Sequence, residues 1–514
     1  MVAAAHPAAV EAGVAVLQMG GSAMDAAVAV QMMLGLVEPE ASGLGGGAFL
    51  LHWAKKEGRL RSYDGRETAP AAVSPRLFLD GHGEPLPFIE AAVGGRAVGV
   101  PGMLRMLEMA HRRHGRFRWA ELLQYAIFTA EEGWEMTPRL HALLEREIQL
   151  RNDPAARRLF YGPDGRPKPV GTRLTNYAYA DTVRAISLQG ADALYRGPIA
   201  ADIVRAVRGH AKPGALTEAD LASYRAVERE PLCGPYRAFR ICSMAPPSSG
   251  GVALLQILGM LERTDFSSRA PGSEGALHLY AEASRLTYAD RARYIGDPDF
   301  VSVPTGALVD GKYLEKRAAL IGERAIGLAP SGDPEAVGTT HFTIVDAEGD
   351  VVSMTSTIEA TFGSRIMVRG FVLNNELTDF DFQPNSRNEV EPRKRPRSSM
   401  APAIVFDRDG EVRMAVGSPG GPFIIGYVAK ALIGTLDWGL PLPEAVRLPN
   451  FANRNGATEI ETGSRYEAHA PALRARGHEV VLREMTSGLH GVERIPGGWR
   501  GAADPRRGGV ADGR

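Results

Sequence analysis

No run of apolar residues in this chain reaches the roughly 18 that a membrane-spanning helix needs, so no segment is expected to cross a bilayer. An excess of one charge is also missing: 59 Lys and Arg stand against 60 Asp and Glu, a formal net charge of −1. Without a global field there is no electrostatic basis for gathering nucleic acid or an anionic membrane, and neither is expected as a partner. The one cationic run, Arg393-Lys394-Arg395 with Arg397, is short and punctuated by proline, and reads as a solvated loop. Cysteine is nearly absent. Cys233 and Cys242 lie too far apart for CxxC chemistry and are too few for a disulfide scaffold. They read as core thiols, with a disulfide between them left open. No HExxH or clustered His/Cys set points to a metal, and no GxSxG elbow points to a serine hydrolase of that type. The opening MVAAAHPAAVEAG lacks the basic and long apolar regions of a secretory signal. As it stands this predicts a cytoplasmic protein; a start upstream of Met1 would make it periplasmic or secreted.

What is present is an ordinary globular composition, 44% hydrophobic and 23% charged over 514 residues, long enough for a large core in one big domain or two to three intertwined units. The first half is patterned for helices. Ser22 with Asp25 forms a cap ahead of an apolar run, and Thr217 with Asp220 forms another. Helical periodicity continues over 102–115, 119–133 and 275–295. Between the first helices, GAFLLHWAKKEGRLRSYDGRE reads as a hairpin turning at 55–58. From Thr339 the texture becomes strand-like: HFTIVD and VVSMTSTI flank a turn at 347–350, and FVLNNEL, APAIVFD and RMAV follow. Helices are expected near 422–438 and 467–476, and a loose terminus from Asp504. Sheets with helices outside them predict a layered α/β or α+β protein.

Five segments carry candidate chemistry. GLGGGA at 43–48 formally matches a dinucleotide loop, but a helix precedes it and a strand follows, so a tight turn needing positive φ is expected instead. GSPGG at 417–421 joins a strand to a helix, where two glycine N–H groups can share one concave space suited to an anion or oxyanion. RPRSSMAP (395–402) offers two adjacent hydroxyls. NNELTDF (374–380) offers Glu376 and Asp379, for an ammonium or for a turn cap. GTTHFTIVD (338–346) offers two threonines, either the start of a strand or a nucleophile. In a strand His341 points away from the face of Thr340.

Taken together, GTTHFTIVD, TSTIEATFGS, NNELTDF, RPRSSMAP and GSPGG resemble, in order and near spacing, the γ-glutamyltransferase family. HPAAVEAGVAVLQMGGSAMDAAVA, EPEASGLGGGAFLL, DGRETAP, GVPG and APPSSGG in the first half are similar to the same family's segments, as is GAADPRRGG near the end. The resemblance implies an α+β fold, the four-layer αββα sandwich of the N-terminal-nucleophile hydrolases, with an extra helical region. It implies a precursor cut between Gly338 and Thr339 into a large subunit, 1–338, and a small one, 339–514, that stay together. Thr339 would be the nucleophile, with its freed α-amine as base. Thr357 would orient it, and Gly420 and Gly421 would form the oxyanion hole. Arg66, Ser398 and Ser399 would hold the substrate α-carboxylate, and Glu359, Glu376 and Asp379 its α-ammonium. The implied substrates are small γ-glutamyl compounds such as glutathione, with water, an amino acid or a peptide as acceptor and no cofactor.

Two departures stand out. Some family members carry Asn and Gln where this chain has Glu359 and Glu376, and others carry acids. The segment between Asp379 and Ser398 is short, which predicts a cleft without a lid, as in the lidless and cephalosporin-acylase-like branches. The alternatives are therefore a glutaryl-type acylase on the same fold and, more remotely, an uncleaved binding protein.

Overall fold

The structure, a computed structural model, describes residues 1–327 and 337–513, with Val337 and Gly338 described by their backbone only. In chain order the strands of its two large sheets are β1 (Val2–Ala4), β2 (Gly47–Ala54), β3 (Arg59–Gly65), β4 (Val227–Arg229), β5 (Leu232–Tyr236), β6 (Phe239–Ser243), β7 (Val337–Val345), β8 (Val351–Ala360), β9 (Ala403–Phe406), β10 (Val412–Gly417), β11 (His490–Ile495), β12 (Gly498–Ala503) and β13 (Val510–Asp512). Sheet one runs β13-β1-β7-β8-β2-β3-β4 and sheet two runs β12-β11-β10-β9-β6-β5. Every pairing in both is antiparallel.

The period-2 alternation of β7 and β8 explains the layering. Phe342 and Ile344 of β7, with Val352 and Met354 of β8, join a core made largely of helices. That core includes α1 (Pro7–Gln18), α2 (Ala23–Val37), α3 (Met103–His114), α4 (Gln124–Glu132) and α5 (Tyr177–Gln189). The opposite face presents Val345 and Val351, with Phe49 and Leu51 of β2, to the strands of sheet two. Behind sheet two lie α6 (Gly250–Leu261), α7 (Glu274–Tyr294) and α8 (Ile424–Leu436). The result is helix, sheet, sheet, helix, as expected, with α4, α5 and their neighbours forming the extra helical region.

Local signals held where the chemistry was specific. Ser22 and Asp25 form a complete capping box at α2, as do Thr217 and Asp220 at Glu218–Ser223. The first hairpin turns through Lys55–Glu57. Five expectations need correction. The cationic run is not a solvated loop: Lys394, Arg395 and Arg397 are buried and paired with Glu391, Asp64 and Asp381. The stretch 119–133 is two helices, Trp119–Leu122 and Gln124–Glu132. Of FVLNNEL only Phe371–Val372 is a strand; Glu376–Asp379 is a 3-10 turn, because Asn374 Oδ1 accepts the Glu376 N–H at 2.9 Å and draws the chain round. The terminus is not loose: β13 pairs Val510, Ala511 and Asp512 with Ala4, Ala3 and Val2. The two cysteines are not thiols. They face each other in the β5–β6 register, Cα atoms 4.1 Å apart, and form a disulfide. Among the described residues no helix is long and apolar enough to cross a membrane.

The segment 380–397 closes on itself. Asn388 Nδ2 donates to the Asp379 carbonyl at 2.7 Å and Asn388 Oδ1 accepts the Arg397 N–H at 2.7 Å. Phe382 stacks on Phe78.

Candidate active site

Thr339 lies in β7, opposite Thr357 of β8 in the register, and the two hydroxyls are 3.2 Å apart. Directly after Thr357 the register slips, so that Gly338 pairs with Glu359. This is a β-bulge, which ends regular pairing and re-aims the side chain that follows. Glu359 takes φ 75°, and its N–H donates to Thr357 Oγ1 at 2.8 Å. The sequence supplies room for this through its glycine run. A Cβ on Gly45 would lie 2.2 Å from the Val372 carbonyl oxygen, and one on Gly46 2.0 Å from that of Thr357. A Cβ on Gly47 would lie 2.1 Å from Glu67 Oε2. The run was expected to serve positive φ, but only Gly43 there adopts it; close approach of backbone to the site is what excludes side chains at 45–47.

Glu359 opens a buried acidic cluster. Its carboxylate accepts from Asn375 Nδ2 and lies 3.4 Å from Thr378 Oγ1. Glu376 and Asp379, on the same 3-10 turn, both bind the Arg66 guanidinium, at Nη1 and Nη2 respectively. Arg66 is 1% exposed. It also donates through Nε to the Pro396 carbonyl at 3.1 Å and through Nη2 to the Arg397 carbonyl at 2.8 Å. Glu67 lies 3.9 Å from Nη1. Three carboxyl groups, those of Glu67, Glu376 and Asp379, thus share one arginine, and burial disfavours the charged form of the fully buried ones. Burial, then the charge of Asp379, pushes Glu359 up to about 8. Burial pushes Glu67 up to about 8 and raises Glu376 despite Arg66.

The two serines follow the carbonyls that hold Arg66. Ser398 pairs with Ser248 as an isolated bridge, and its carbonyl accepts from Ser249 N at 2.8 Å and Ser249 Oγ at 2.6 Å. Ser399 Oγ accepts from Arg291 Nη2 at 2.8 Å.

The GSPGG turn leaves β10 and enters α8 through the 3-10 turn Gly421–Phe423. Gly420 has φ 131° and Gly421 φ 52°. Among the described residues no protein acceptor takes either N–H. A Cβ on Gly420 would lie 2.7 Å from Tyr427 Cε2. Arg507 joins this turn to the threonine: its Nη1 donates to the Thr339 carbonyl at 3.0 Å. Gly488 packs between the Arg507 stem and Pro419.

The structure therefore gathers Thr339 and Thr357 with Glu359, and links Glu359 through the turn 375–379 to Glu376, Asp379, Arg66 and the Ser398–Ser399 segment. Gly420 and Gly421 approach from sheet two. His341 belongs to none of this. Its ring nitrogens lie 2.8 Å from Thr355 Oγ1 and 3.1 Å from Thr343 Oγ1, and burial keeps it well below the usual histidine range. Thr340 donates to Glu38 Oε2 at 3.0 Å. Glu38 and Glu40 form a buried pair in which burial, then Glu38, pushes Glu40 up to about 7. Sequence reasoning passed over Glu38, Glu67, Asn375, Ser249 and Arg507, although each lies inside a segment it had singled out: EPEAS, DGRETAP, NNELTDF, APPSSGG and DPRRGG.

A family model described as gamma-glutamyltranspeptidase matches residues 9–513. A glutathione hydrolase proenzyme of Bacillus subtilis (strain 168) is 38% identical over 100% of this chain and 91% of that protein. One of Escherichia coli (strain K12) is 35% identical over 98% of this chain and 90% of that protein. Among solved structures, the cephalosporin acylase of Bacillus halodurans superposes with a TM-score of 0.89 at 27% identity, covering 100% of this chain and 96% of that one.

Proposed function

The chain belongs to the γ-glutamyltranspeptidase family, and from that premise we propose that it cuts itself before Thr339 and then breaks γ-glutamyl amide bonds through an ester on that residue. The observation that carries this reading is the hydroxyl pair of Thr339 and Thr357, 3.2 Å apart, at a bulge whose next residue, Glu359, belongs to a buried acid–arginine cluster. A plain strand start needs neither the bulge nor the cluster.

The chemistry follows from the residues. Thr339 Oγ adds to the Gly338 carbonyl carbon. The C–N bond to Thr339 breaks, its nitrogen takes the hydroxyl proton, and water hydrolyses the resulting ester. The pieces are 1–338 and 339–514. The freed α-amine has a reference pKa of roughly 7.7–8.0, close to what a general base at neutral pH requires. In turnover it accepts the Thr339 hydroxyl proton as Oγ attacks the substrate γ-carbonyl. Negative charge on the carbonyl oxygen falls to the N–H groups of Gly420 and Gly421. Collapse expels the amine, which leaves with the proton. Water or an amino acid or peptide amine then takes the γ-glutamyl group from the ester. Thr357 holds the hydroxyl in line. Glu359, Glu376 and Asp379 receive the α-ammonium, and Arg66, Ser398 and Ser399 the α-carboxylate.

A denaturing gel with N-terminal sequencing tests the first step. Active protein is expected as two bands, the smaller beginning at Thr339, and Thr339→Ala as one chain of 55.1 kDa. Active material that remains a single chain overturns the mechanism. A second reading, a glutaryl-type acylase, draws on the fit to the cephalosporin acylase over the whole chain. A glutaryl group lacks the α-ammonium that would reach Glu359, which pairs with no cation among the described residues while Glu376 and Asp379 are held by Arg66, so the γ-glutamyl group fits better. Turnover of γ-glutamyl and glutaryl anilides separates the two; a glutaryl preference reverses the order.

A further inference from the structure

Two histidines for which the proposed mechanism has no use meet in the interior. His278, on α7, and His478, just beyond the helix Ala470–Ala475, are both buried, and His278 Nδ1 lies 2.8 Å from His478 Nε2. The outer ring nitrogens are engaged as well. His278 Nε2 lies 2.8 Å from the Gly322 carbonyl oxygen, and His478 Nδ1 lies 2.9 Å from Thr458 Oγ1.

One of these contacts fixes the protons of all the others. A carbonyl can only accept, so His278 Nε2 carries a proton. In the neutral ring Nδ1 is then bare and accepts from the Nε2–H of His478. That leaves His478 Nδ1 bare, and it accepts the Thr458 hydroxyl proton. Every group in this chain is satisfied with both rings neutral. One added proton can be housed on His478 Nδ1 if the Thr458 hydroxyl turns to accept. Two cannot, because two N–H groups would then face each other across 2.8 Å. Burial, then the neighbouring His278, pushes His478 down to about 4.

Residues 322–326 cross this spot as a strap that belongs to no helix or strand. Besides the Gly322 contact, the Glu323 carbonyl accepts from Arg476 Nη1 at 3.0 Å, and the Ala325 N–H donates to the Arg476 carbonyl at 2.9 Å. The Ile326 N–H donates to Glu282 Oε2 at 2.6 Å. The charged groups around the rings are largely committed. Glu282 Oε1, 3.9 Å from His478 Nδ1, accepts from Arg285 Nε at 3.1 Å. Arg476 is paired with Glu274, which also feels His469. On the strap, Glu323 and Arg324 are exposed. In sequence the strap lies upstream of β7. A cut before Thr339 would leave it on the earlier piece, and Arg476 and His478 on the later one.

We propose that His278 and His478 form an acid-opened latch that fastens the strap 322–326 to residues 476–478. Closed, the latch needs both rings to share one line of hydrogen bonds and has no place for two extra protons. Open, each ring is free to take one. A histidine whose closed-state pKa lies below its open value holds the latch fully above about 6.5, and that contribution is lost as pH falls from there toward about 4. Opening is local, because the strap has no ladder of backbone pairs to break.

The test is hydrogen exchange on the whole protein from about pH 7.5 to 5, read by mass spectrometry and corrected for the intrinsic pH dependence of exchange. Glu274, held below the usual carboxylate range by Arg476, stays charged throughout this window. The Ala325 and Ile326 amides report the strap. Their protection is expected to fall by about 30-fold, the change for one histidine moving from about 4 closed to about 6.5 open. Amides of α8 and β10 should keep theirs. His478→Gln should hold the change at the strap to within about threefold, because a glutamine amide can turn either an N–H or a carbonyl toward His278. His469→Gln, nearby but outside the hydrogen-bonded chain, should leave the wild-type profile intact. Strap protection that does not change with pH overturns the proposal, as does a loss spread evenly over the protein. So does a His478→Gln profile as steep as the wild type's, or a profile flattened by His469→Gln. Should His478→Gln fail to fold, His278→Gln, which keeps an N–H for the Gly322 carbonyl, takes its place, and the wild-type profile decides without either. None of these readouts depends on turnover or self-cleavage, so the activity reading is judged separately.

Discussion

Glu359→Gln gives the sharpest test of the acidic cluster. In the folded protein burial and Asp379 push Glu359 from 4.5 to about 8. Only the ionised form complements an α-ammonium, so the apparent affinity for such a ligand is scaled by the ionised fraction. With a pKa of about 8 that fraction is about one-hundredth at pH 6, about one-tenth at pH 7 and about one-half at pH 8. Competitive inhibition by glutamate, the product of hydrolysis, reports the affinity without the catalytic steps. For the wild type its inhibition constant should fall close to tenfold per unit between about pH 6 and 7 and level off above about 8. Glu359→Gln should bind more weakly at pH 8 and lose most of this slope. Stability moves the other way. A carboxyl whose folded pKa lies above its unfolded value favours the fold fully below about 4.5 and loses that contribution as pH rises through about 8. The wild type should therefore lose melting temperature across this window and the glutamine variant should lose less. A wild-type inhibition constant flat from pH 6 to 8, or a variant with the same slope, refutes the assignment.

Thr357→Val removes the oxygen that lies 3.2 Å from the Thr339 hydroxyl and accepts the Glu359 N–H; self-cleavage and kcat should both fall by about 10- to 100-fold, followed by gel time course and by turnover of the cleaved fraction. Gly420→Ala places a methyl 2.7 Å from Tyr427 at φ 131°; kcat should fall by at least about 100-fold, and the strain should lower the melting temperature as well. Deleting 510–514 removes the partner of β1 and should lower stability by on the order of 2 kcal/mol, read by denaturant unfolding.

Where the sequence was legible, chemistry and pattern agreed. The capping boxes, the first hairpin and the strand alternation of 338–360 announced helices outside a sheet; the four layers of an N-terminal-nucleophile hydrolase came from the family resemblance, and the solved structures bear them out. The individual site motifs were legible too, because threonine after glycine, paired acids and paired serines stand together in the chain. Their mutual geometry was not. Nothing in TSTIEA signals that the register slips at Glu359, because a bulge depends on the neighbouring strand and on the glycines packed against it. Arg66 was read as facing a ligand, and only the tertiary fold brings Glu376 and Asp379 onto it from over 300 residues away. The disulfide stayed undecided for the same reason: a separation of nine residues becomes a cross-strand pair only once the hairpin turn is placed. The terminal strand was hidden by glycine and arginine, which argue for a loop until an edge exists to pair with.

The order of sheet one has a further consequence. Read across, it runs β13, β1, β7, β8, β2, β3, β4. If the chain is cut before Thr339, neighbours along this sheet come alternately from the two products: the later piece, then the earlier, then two strands of the later, then three of the earlier. The products are woven together, and no single seam separates them. Pulling them apart means breaking the pairings of β13 with β1, of β1 with β7 and of β8 with β2, which amounts to unfolding the sheet. On that cut, the covalent link between residues 338 and 339 would serve as a guide during assembly, keeping two segments in register while they interleave, and would become dispensable once they have. Fragments made separately would face a search that the uncut precursor never has to make.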